Sequence, residues 1–290
     1  MQLWLFLIGL AAGSFLNVIA LRYDPDRFIL NKQTIGGRSY CPDCKNKLNW
    51  FELVPLLSFI FLRGRCRNCR AKISWQYPIV EIISGLIFIL VPIFLKPTTY
   101  YLNFQIQNPI GYWLLAIGFI LIFEILLLVT LIDIRLKLIP DEANILLVIL
   151  GIFIILLSAQ NFDFTSGSFL GSYAALFGFR GNIWVNHSLA AFFGAAFFLI
   201  LFLITLGRGM GLGDLKFAFA LGFVFGWPDI ILITALAFIL GSLFSLPGLI
   251  LKKRRLKSFL PFGPFLALAS LVVFFFGHDL VKFYFGLFTN

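Results

Sequence analysis

One aspartate, Asp214, lies among glycines between two long apolar runs, in the segment Gly209-Met210-Gly211-Leu212-Gly213-Asp214-Leu215-Lys216. An unpaired charge in hydrocarbon is costly, so an ionisable residue at the edge of an apolar run indicates a functional site. Glycines have no side chain and let another backbone approach closely. This pattern favours cleavage of a peptide at a membrane surface. The residues expected near a bound substrate are Gly209, Gly211, Gly213 and Lys216.

The alternative for Asp214 is structural, because aspartate often accepts hydrogen bonds from the free N–H groups at the start of a helix. A short motif does not decide between a helix cap and a catalytic acid. The catalytic interpretation requires a second acid, carried to the same place by another element of the fold.

Four cysteines form two C-x2-C pairs, Cys41 with Cys44 and Cys66 with Cys69. Two tight turns of this kind present four thiolates to one zinc ion. The surrounding segment, residues 22–77, is too small to bury a sizeable core, so metal binding would supply much of its folding energy. The alternative is a pair of disulfides, which requires an oxidising compartment.

The composition places the chain in a membrane, since 60% of its 290 residues are hydrophobic and only 12% are charged. Soluble domains carry about 25% charged residues. The sequence therefore predicts an all-α polytopic membrane protein with a first transmembrane helix (1–21), a cysteine-bearing module (22–77) and a seven-helix membrane domain (78–290). The eight predicted spans are 3–21, 78–95, 110–132, 143–158, 188–206, 214–227, 229–250 and 262–281. In the first span, the spacing of Gly9 and Gly13 favours close helix packing.

The basic residues set the expected orientation. All lysines and arginines except Lys96, Arg180 and Lys282 lie in or beside segments 22–77, 133–142, 207–213 and 251–261. The positive-inside rule puts these segments in the cytosol and the N-terminus outside. The net charge of +10 then indicates cytoplasmic loops, not nucleic-acid binding. The run 252–255 is expected to anchor the topology and contact lipid headgroups.

In this topology Asp133, at the end of the third span, lies on the same membrane face as Asp214. Two neighbouring carboxylates do not both ionise easily, so one becomes a general base and the other a general acid. The pair titrates as a unit. This arrangement predicts an aspartic protease in which the base activates a water that attacks the scissile carbonyl.

The other acids have simpler interpretations. Asp141 and Glu142 follow Pro140 and are expected in the first turn of a helix, where the dipole favours them. Glu124 lies inside the third span, where it needs a partner or a proton. Both histidines, His187 and His278, are expected on the outer side, away from Asp214.

Motifs along most of the chain resemble those of one family. They are Gly13-Ser14-Phe15-Leu16-Asn17, the two C-x2-C pairs, Trp50, Glu52, Pro55, Ser58, Arg63-Gly64-Arg65-Cys66, Tyr77-Pro78, Glu81, Ile132-Asp133, Pro140-Asp141, the segment 209–216 and Pro261-Phe262-Gly263-Pro264-Phe265-Leu266. The chain resembles the type IV prepilin peptidases, polytopic aspartic proteases of the GxGD type. The resemblance places the two catalytic positions on Asp133 and Asp214.

The resemblance implies more than the residues show. Members of this family cut the basic leader from prepilins and pseudopilins after a glycine, at the cytoplasmic face of the bacterial inner membrane. Many members also N-methylate the new terminus with S-adenosylmethionine, an activity associated with the cysteine-bearing region. The residues that the resemblance makes candidates for holding this cofactor are Asn17, Glu52 and Glu81.

Two other classes of function stay open on the sequence alone. One is a transporter or channel in which Glu124, Asp133 and Asp214 line an ion path, although no inverted repeat of broken helices is evident. The other is a non-catalytic assembly subunit that binds partners through its metal module. Neither class requires the two aspartates for peptide cleavage.

Overall fold

The computed structural model describes residues 2–29, 31–95, 109–158, 168–170, 173, 182–207, 209–250 and 260–287. The basic run 252–255 and most of the loop 159–187 lie outside these residues. The chain divides into two compact units, Met1–Ile93 and Phe94–Asn290. The described residues form helices and turns with two isolated β-bridges, which confirms the all-α class.

The first unit contains two long helices, α1 (Gln2–Arg22) and α4 (Gln76–Phe94, which ends one residue past the boundary). Between them lie α2 (Lys32–Ile35), a 3-10 turn (Trp50–Leu53) and α3 (Leu57–Phe61). A β-carbon at Gly9 would lie 2.7 Å from Cα of Gly85, and one at Gly13 would lie 2.9 Å from Cα of Glu81. The predicted close packing of α1 at its glycines is therefore confirmed.

The second unit contains six helices: α5 (Pro109–Leu136), α6 (Asp141–Ser158), α7 (Ile183–Thr205), α8 (Leu212–Phe225), α9 (Asp229–Ile250) and α10 (Gly263–Gly286). Among the described residues of the whole chain, seven helices are long and apolar enough to cross a membrane: α1, α4, α5, α6, α7, α9 and α10. These correspond to seven of the eight predicted spans.

The remaining predicted span, 214–227, is the short helix α8 of 14 residues. At 1.5 Å per residue it is about 21 Å long, less than the roughly 30 Å of bilayer hydrocarbon. The helix ends at Gly226, whose positive φ of 76° turns the chain toward α9. The predicted range 214–227 was itself only 14 residues long, so its length already fell short of a bilayer span.

Phenylalanines fill the centre of the second unit. The rings of Phe123 and Phe274 are 4.9 Å apart, and those of Phe119 and Phe274 are 5.0 Å apart. Helix α8 packs closely on α7, since a β-carbon at Gly222 would lie 2.5 Å from the carbonyl oxygen of Ala190. These contacts hold α8 among its neighbours, so that its first turn has a defined position.

Candidate functional site

Asp133 lies in the last turn of α5 and is only 4% exposed. The helix ends when Lys137, with a positive φ of 56°, donates its N–H to the Asp133 carbonyl oxygen at 2.8 Å. A left-handed residue in this position is a common way to end a helix. The Asp133 side chain accepts a hydrogen bond at Oδ2 from the backbone N–H of Gly263, at 2.9 Å. The start of α10 therefore holds this carboxylate from across the unit.

Asp214 is the third residue of α8 and is 8% exposed. Its Oδ2 accepts a hydrogen bond from the backbone N–H of Gly211 at 3.1 Å. The helix-cap interpretation is thus correct as a description of this contact. The cap orients the carboxyl group but leaves its other oxygen available, so a structural contact and a catalytic role are compatible.

Ile139 connects the surroundings of the two aspartates. A β-carbon at Gly213 would lie 3.5 Å from Cβ of Ile139, and one at Gly263 would lie 3.4 Å from its Cδ1. Gly213 directly precedes Asp214 and Gly263 binds the Asp133 side chain, so both buried aspartates lie beside residues that border Ile139. Two such groups that meet in a buried place can hold one proton between them.

Helix ends add to the electrostatics of this cluster. The N-termini of α6, α8 and α10 lie at Asp141, Leu212 and Gly263, on the end of the unit where Asp133 and Asp214 meet. A helix N-terminus carries a partial positive charge and stabilises nearby anions. The backbone therefore supplies positive potential to carboxylates that have little contact with water.

The predicted substrate-proximal residues surround Asp214. Gly211 and Gly213 flank its turn, and Gly209 lies just before, with a β-carbon there 3.0 Å from Cγ2 of Thr205. Lys216 extends from α8 and its Nζ lies 2.8 Å from both carboxylate oxygens of Asp141. Both side chains of this ion pair are about half exposed, and such pairs contribute roughly 0–1 kcal/mol.

Asp141 and Glu142 occupy the first turn of α6, as predicted. Glu124 is buried in α5, nine residues before Asp133. Nine residues of α-helix correspond to two and a half turns and a rise of about 14 Å, which places these acids on opposite faces of the helix. His187 contacts the carbonyl oxygen of Phe223 at 2.8 Å, near the end of α8 opposite to Asp214.

The sequence interpretation did not assign Gly263 to the site. The Gly263-Pro264 pair before an apolar run indicates the start of a helix. The contact of Gly263 with Asp133, 130 positions earlier in the chain, has no local signal in the sequence. Gly263 contributes an N–H group and also space, since a β-carbon there would lie 2.7 Å from Oδ2 of Asp133.

We expect Gly263→Ala to lower the activity that depends on Asp133 by at least about 10-fold, because the new methyl group displaces the carboxylate from its amide donor. The matched control is Gly286→Ala at the far end of α10, where a β-carbon meets nothing within 4 Å. The measurement is the initial rate of peptide cleavage by membranes that contain equal amounts of each variant. Equal rates for the Gly263 and Gly286 variants would contradict a close fit around Asp133.

The four cysteines come together in the first unit as free thiols, with all four sulfur atoms within 4.8 Å of one another. Sγ of Cys41 and Sγ of Cys69 are 3.8 Å apart. A tetrahedral site with metal–sulfur bonds of about 2.3 Å has its sulfurs about 3.8 Å apart. The spacing therefore fits one metal ion held by four thiolates, and it excludes the disulfide alternative in this structure.

The two C-x2-C turns have the same backbone arrangement. Cys41 N–H donates to the Asn46 carbonyl oxygen at 2.9 Å, and Cys66 N–H donates to that of Ala71 at 2.8 Å. Lys45 and Arg70, each directly after the second cysteine of its pair, both have a φ of 58°. The two turns are thus equivalent, which is how paired knuckles present two thiolates each.

The thiols of the cluster differ in acidity. The backbone N–H groups of Cys69 and Asn68 lower the pKa of Cys66 to about 7. The backbone N–H of Ala71 acts to lower the pKa of Cys69, but partial desolvation and the neighbouring thiols of Cys44, Cys66 and Cys41 together raise it to about 12. Four adjacent thiolates repel one another, so full deprotonation of this cluster requires a cation.

Asn17, Glu52 and Glu81, the candidate cofactor residues, already hydrogen-bond to the protein. The Asn17 side chain is fully buried and lies 3.3 Å from both the Gly13 carbonyl oxygen and Nε2 of Gln76. Glu52 Oε2 accepts from Asn49 N–H at 2.7 Å within its own turn. Glu81 Oε2 accepts from Leu56 N–H at 2.8 Å. Of the three, the half-buried Glu52 is the one with appreciable exposure.

Two family models match the chain, one over the region with the cysteines and one over the region with the two aspartates. Residues 7–95 match the model of the bacterial peptidase A24 N-terminal domain, and residues 120–246 match that of the type IV leader peptidase family. The first match covers the four cysteines, and the second covers Asp133 and Asp214. No solved structure matches the chain.

Curated relatives are similar over nearly their whole length. A prepilin leader peptidase/N-methyltransferase of Aeromonas hydrophila is 30% identical over 298 residues, covering 96% of this chain and 92% of the relative. A protein of the same name from Bacillus subtilis (strain 168) is 28% identical and covers 97% and 96%. One from Burkholderia pseudomallei (strain 1026b) is 31% identical and covers 93% and 84%.

Proposed function

Since this chain belongs to the type IV leader peptidase family, we propose that it cleaves the leader peptide from prepilins or pseudopilins and N-methylates the new terminal residue. The observation that supports the peptidase half is that Asp133 and Asp214, two buried acids from different helices, lie beside residues that border the same Ile139. The cut is expected directly after a glycine of the leader. The chain is accordingly a membrane-embedded aspartic endopeptidase.

The mechanism follows from the pair's single shared proton. The ionised carboxylate takes a proton from a water molecule, whose oxygen attacks the scissile carbonyl carbon. The protonated carboxyl group gives its proton to the developing oxyanion. When the C–N bond of the tetrahedral intermediate breaks, the first carboxyl group gives the leaving nitrogen the proton that it took from water, and an intermediate hydroxyl returns a proton to the second carboxylate. The N–H groups of Gly263 and Gly211 hold Asp133 and Asp214 in position during these transfers.

The glycine-rich turn before Asp214 is proposed to receive the substrate backbone. Thr205 and Ile139 border the space at Gly209 and Gly213, so Gly211 is the glycine that leaves room for an extended peptide beside the acid, and Lys216 lies on the open side of α8. An extended peptide is required because its backbone leaves one face of the scissile carbonyl open to the attacking water. The ion pair of Lys216 with Asp141 then borders the entrance to the site.

We propose that the protein lies in the bacterial inner membrane with its N-terminus outside and the cysteine module in the cytosol. The distribution of lysine and arginine between the predicted loops supports this orientation. A basic leader that remains in the cytosol, attached to an apolar substrate helix in the bilayer, presents its scissile bond near the start of α8. The proposed partners are prepilins or pseudopilins and membrane lipids; no binding of nucleic acid is proposed.

Zinc is the proposed metal of the Cys41, Cys44, Cys66 and Cys69 cluster. Four thiolates in tetrahedral spacing are the ligand set of structural zinc sites, in which no position stays open for substrate. The metal would supply folding energy to the short segments between α1 and α4. Its proposed role is structural support of the methyltransferase region.

S-adenosylmethionine is the proposed methyl donor, and it supplies an electrophilic methyl group when bound. Its sulfonium is positively charged, so Glu52 and Glu81 are suitable residues to balance that charge near α4. Asn17 is proposed to position α1 and α4 at this region, since its amide links Gly13 with Tyr77 and Gln76. The half-buried Glu52 is the residue that can contact the cofactor without a change in packing.

The other two classes of function receive less support. In a transporter, a continuous ion path would connect Glu124 with Asp133, but these residues lie on opposite faces of α5. A non-catalytic assembly subunit would have no need for the buried pair of acids. Both alternatives also lack the agreement of two family models and of curated relatives along the chain.

The proposed function is tested by incubating membranes that contain the protein with a prepilin and S-adenosylmethionine. Mass spectrometry should show loss of the leader and the added mass of one methyl group on the new N-terminus. A prepilin with leucine in place of the last leader glycine is the control, and it should remain uncut. An uncut wild-type prepilin would refute the proposal.

A further inference from the structure

Asn144, in the first turn of α6, has a buried side chain without a protein partner. It is 6% exposed, and neither Oδ1 nor Nδ2 accepts or donates a hydrogen bond within the part of the chain that the structure describes. Its backbone N–H contacts the Pro140 carbonyl oxygen at 3.4 Å. A buried amide that makes no hydrogen bond destabilises a fold, so its presence calls for a functional reason.

Helix geometry places Asn144 against α8. Asp141 contacts Lys216 of α8, and a β-carbon at Gly151 would lie 3.0 Å from the ring of Phe223, also of α8. Positions 141, 144, 148 and 151 follow the three- and four-residue spacing that puts side chains on one face of a helix. Asn144 therefore lies between two contacts with α8, on the face that α6 presents to it.

The same geometry places the amide at the end of the unit that holds the aspartates. Side chains of a helix tilt toward its N-terminus, so the Asn144 amide extends back toward the start of α6. That start follows directly on Ile139, which contacts the surroundings of Gly213 and Gly263. Asn144 thus lies one turn of helix after Pro140, the residue that directly follows Ile139.

An asparagine amide has one acceptor and one donor group, the same pair that a peptide unit presents in reverse. The two aspartates are not available to bind the substrate main chain. Each accepts a backbone hydrogen bond and must also act on water and the scissile carbonyl. We propose that Asn144 binds the main chain of the substrate beside the scissile bond, with its NH₂ donating to a peptide carbonyl and its Oδ1 accepting from a peptide N–H. This inference rests on the proposed peptidase function.

The proposal explains why a destabilising group is retained. The substrate supplies the two missing hydrogen bonds, so the cost of the unpaired amide is recovered only when a peptide is bound. Residues that are unfavourable in the free protein and satisfied in its complex are typical of functional sites. Since a main chain is common to all substrates, this contact would hold any prepilin in register without reading its side chains.

The test is Asn144→Leu, which keeps the branching and the number of heavy atoms of the side chain and removes both polar groups. We expect the unfolding temperature to stay the same or rise, while kcat/KM for prepilin cleavage falls about 10- to 100-fold, the effect of two lost hydrogen bonds. The matched control is Ser158→Ala at the other end of α6, where Oγ is also buried and has no partner within the described ranges. This variant should be equally stable and should cleave prepilin at the wild-type rate.

A second measurement identifies the contact. Prepilin peptides in which one backbone N–H at a time is replaced by an ester oxygen should lose activity with the wild type at the position that Asn144 binds. The same ester should have little further effect on Asn144→Leu, because the interaction is already absent. Additive losses at all positions near the scissile bond would overturn the proposed contact.

The remaining outcomes are also decisive. A lower unfolding temperature or failure to fold for Asn144→Leu would show that the amide is satisfied in the free protein, for example by a buried water, and would overturn the inference. So would unchanged cleavage by a stable variant. Absence of cleavage by the wild type would refute the peptidase function itself. Normal cleavage by both the wild type and the Asn144→Leu variant would refute only the proposed role of Asn144.

Discussion

Asp133→Asn and Asp214→Asn should each insert into the membrane at normal levels and lose prepilin cleavage. Asparagine keeps the shape and the hydrogen bonds from Gly263 and Gly211, but it neither takes a proton from water nor supplies one to the oxyanion. General acid–base groups contribute about 10²- to 10⁴-fold to rate, so each variant should be slowed at least 100-fold. The double variant should be no slower than either single one, because the two residues act as a unit.

The matched control for these variants is Asp279→Asn, an exposed acid near the other end of α10. It makes the same chemical change outside the cluster and should cleave at the wild-type rate. Rates are measured by the mobility shift of prepilin on gels, with protein amounts equalised by immunoblot. If either cluster variant processed prepilin at a rate near that of the Asp279 variant, the shared-proton mechanism would be wrong.

The second large effect is expected in the metal module. Replacement of Cys41 and Cys44 by serine removes two of four thiolates, and the metal content should fall from about one ion per chain to near zero. Structural zinc sites contribute roughly 10–16 kcal/mol of binding free energy to the folded state, so the module should lose its structure. Methylation should be abolished, whereas cleavage should fall by no more than a few-fold.

The difference between the two activities follows from the division of the chain. The cysteines belong to Met1–Ile93, and both aspartates belong to Phe94–Asn290. The control is Asn46→Ala on the same knuckle, where the backbone carbonyl and not the side chain contacts Cys41. Metal is measured by elemental analysis and methylation by transfer of labelled methyl groups. Undiminished metal in the cysteine variant, or equal loss of both activities, would contradict the structural role.

The zinc-type knuckles and the long spans were accessible from the sequence, because their signals are local. A C-x2-C pair forms one turn whatever the rest of the chain does, and an apolar run of sufficient length is stable in a bilayer through its own composition. The Gly9 and Gly13 spacing belongs to the same group, since small residues one turn apart always form a flat helix face. The structure confirms seven of the eight predicted spans, the close packing at the two glycines and the clustering of the four cysteines around one possible metal position.

The pairing of the two acids was only partly predictable from the sequence. The sequence identified Asp133 and Asp214 as residues that could do chemistry, by their type and by their position at the edges of apolar runs. That they interact was a prediction from topology, and a shared membrane face does not set a distance. The coupling of the two carboxyl groups depends on how α5, α8 and α10 pack, which the composition of each single helix does not determine.

The sequence by itself indicated the class of protein, the candidate metal ligands and the two candidate catalytic acids, because each of these depends on residue type and short spacing. The tertiary structure alone decided that Gly263 supports Asp133 and that the Asn144 side chain is left without a partner among the described residues. The physical reason is that these features are contacts or missing contacts between segments far apart in the chain. They are set by side-chain packing among several helices at once, and no local pattern of residues specifies how those helices pack together.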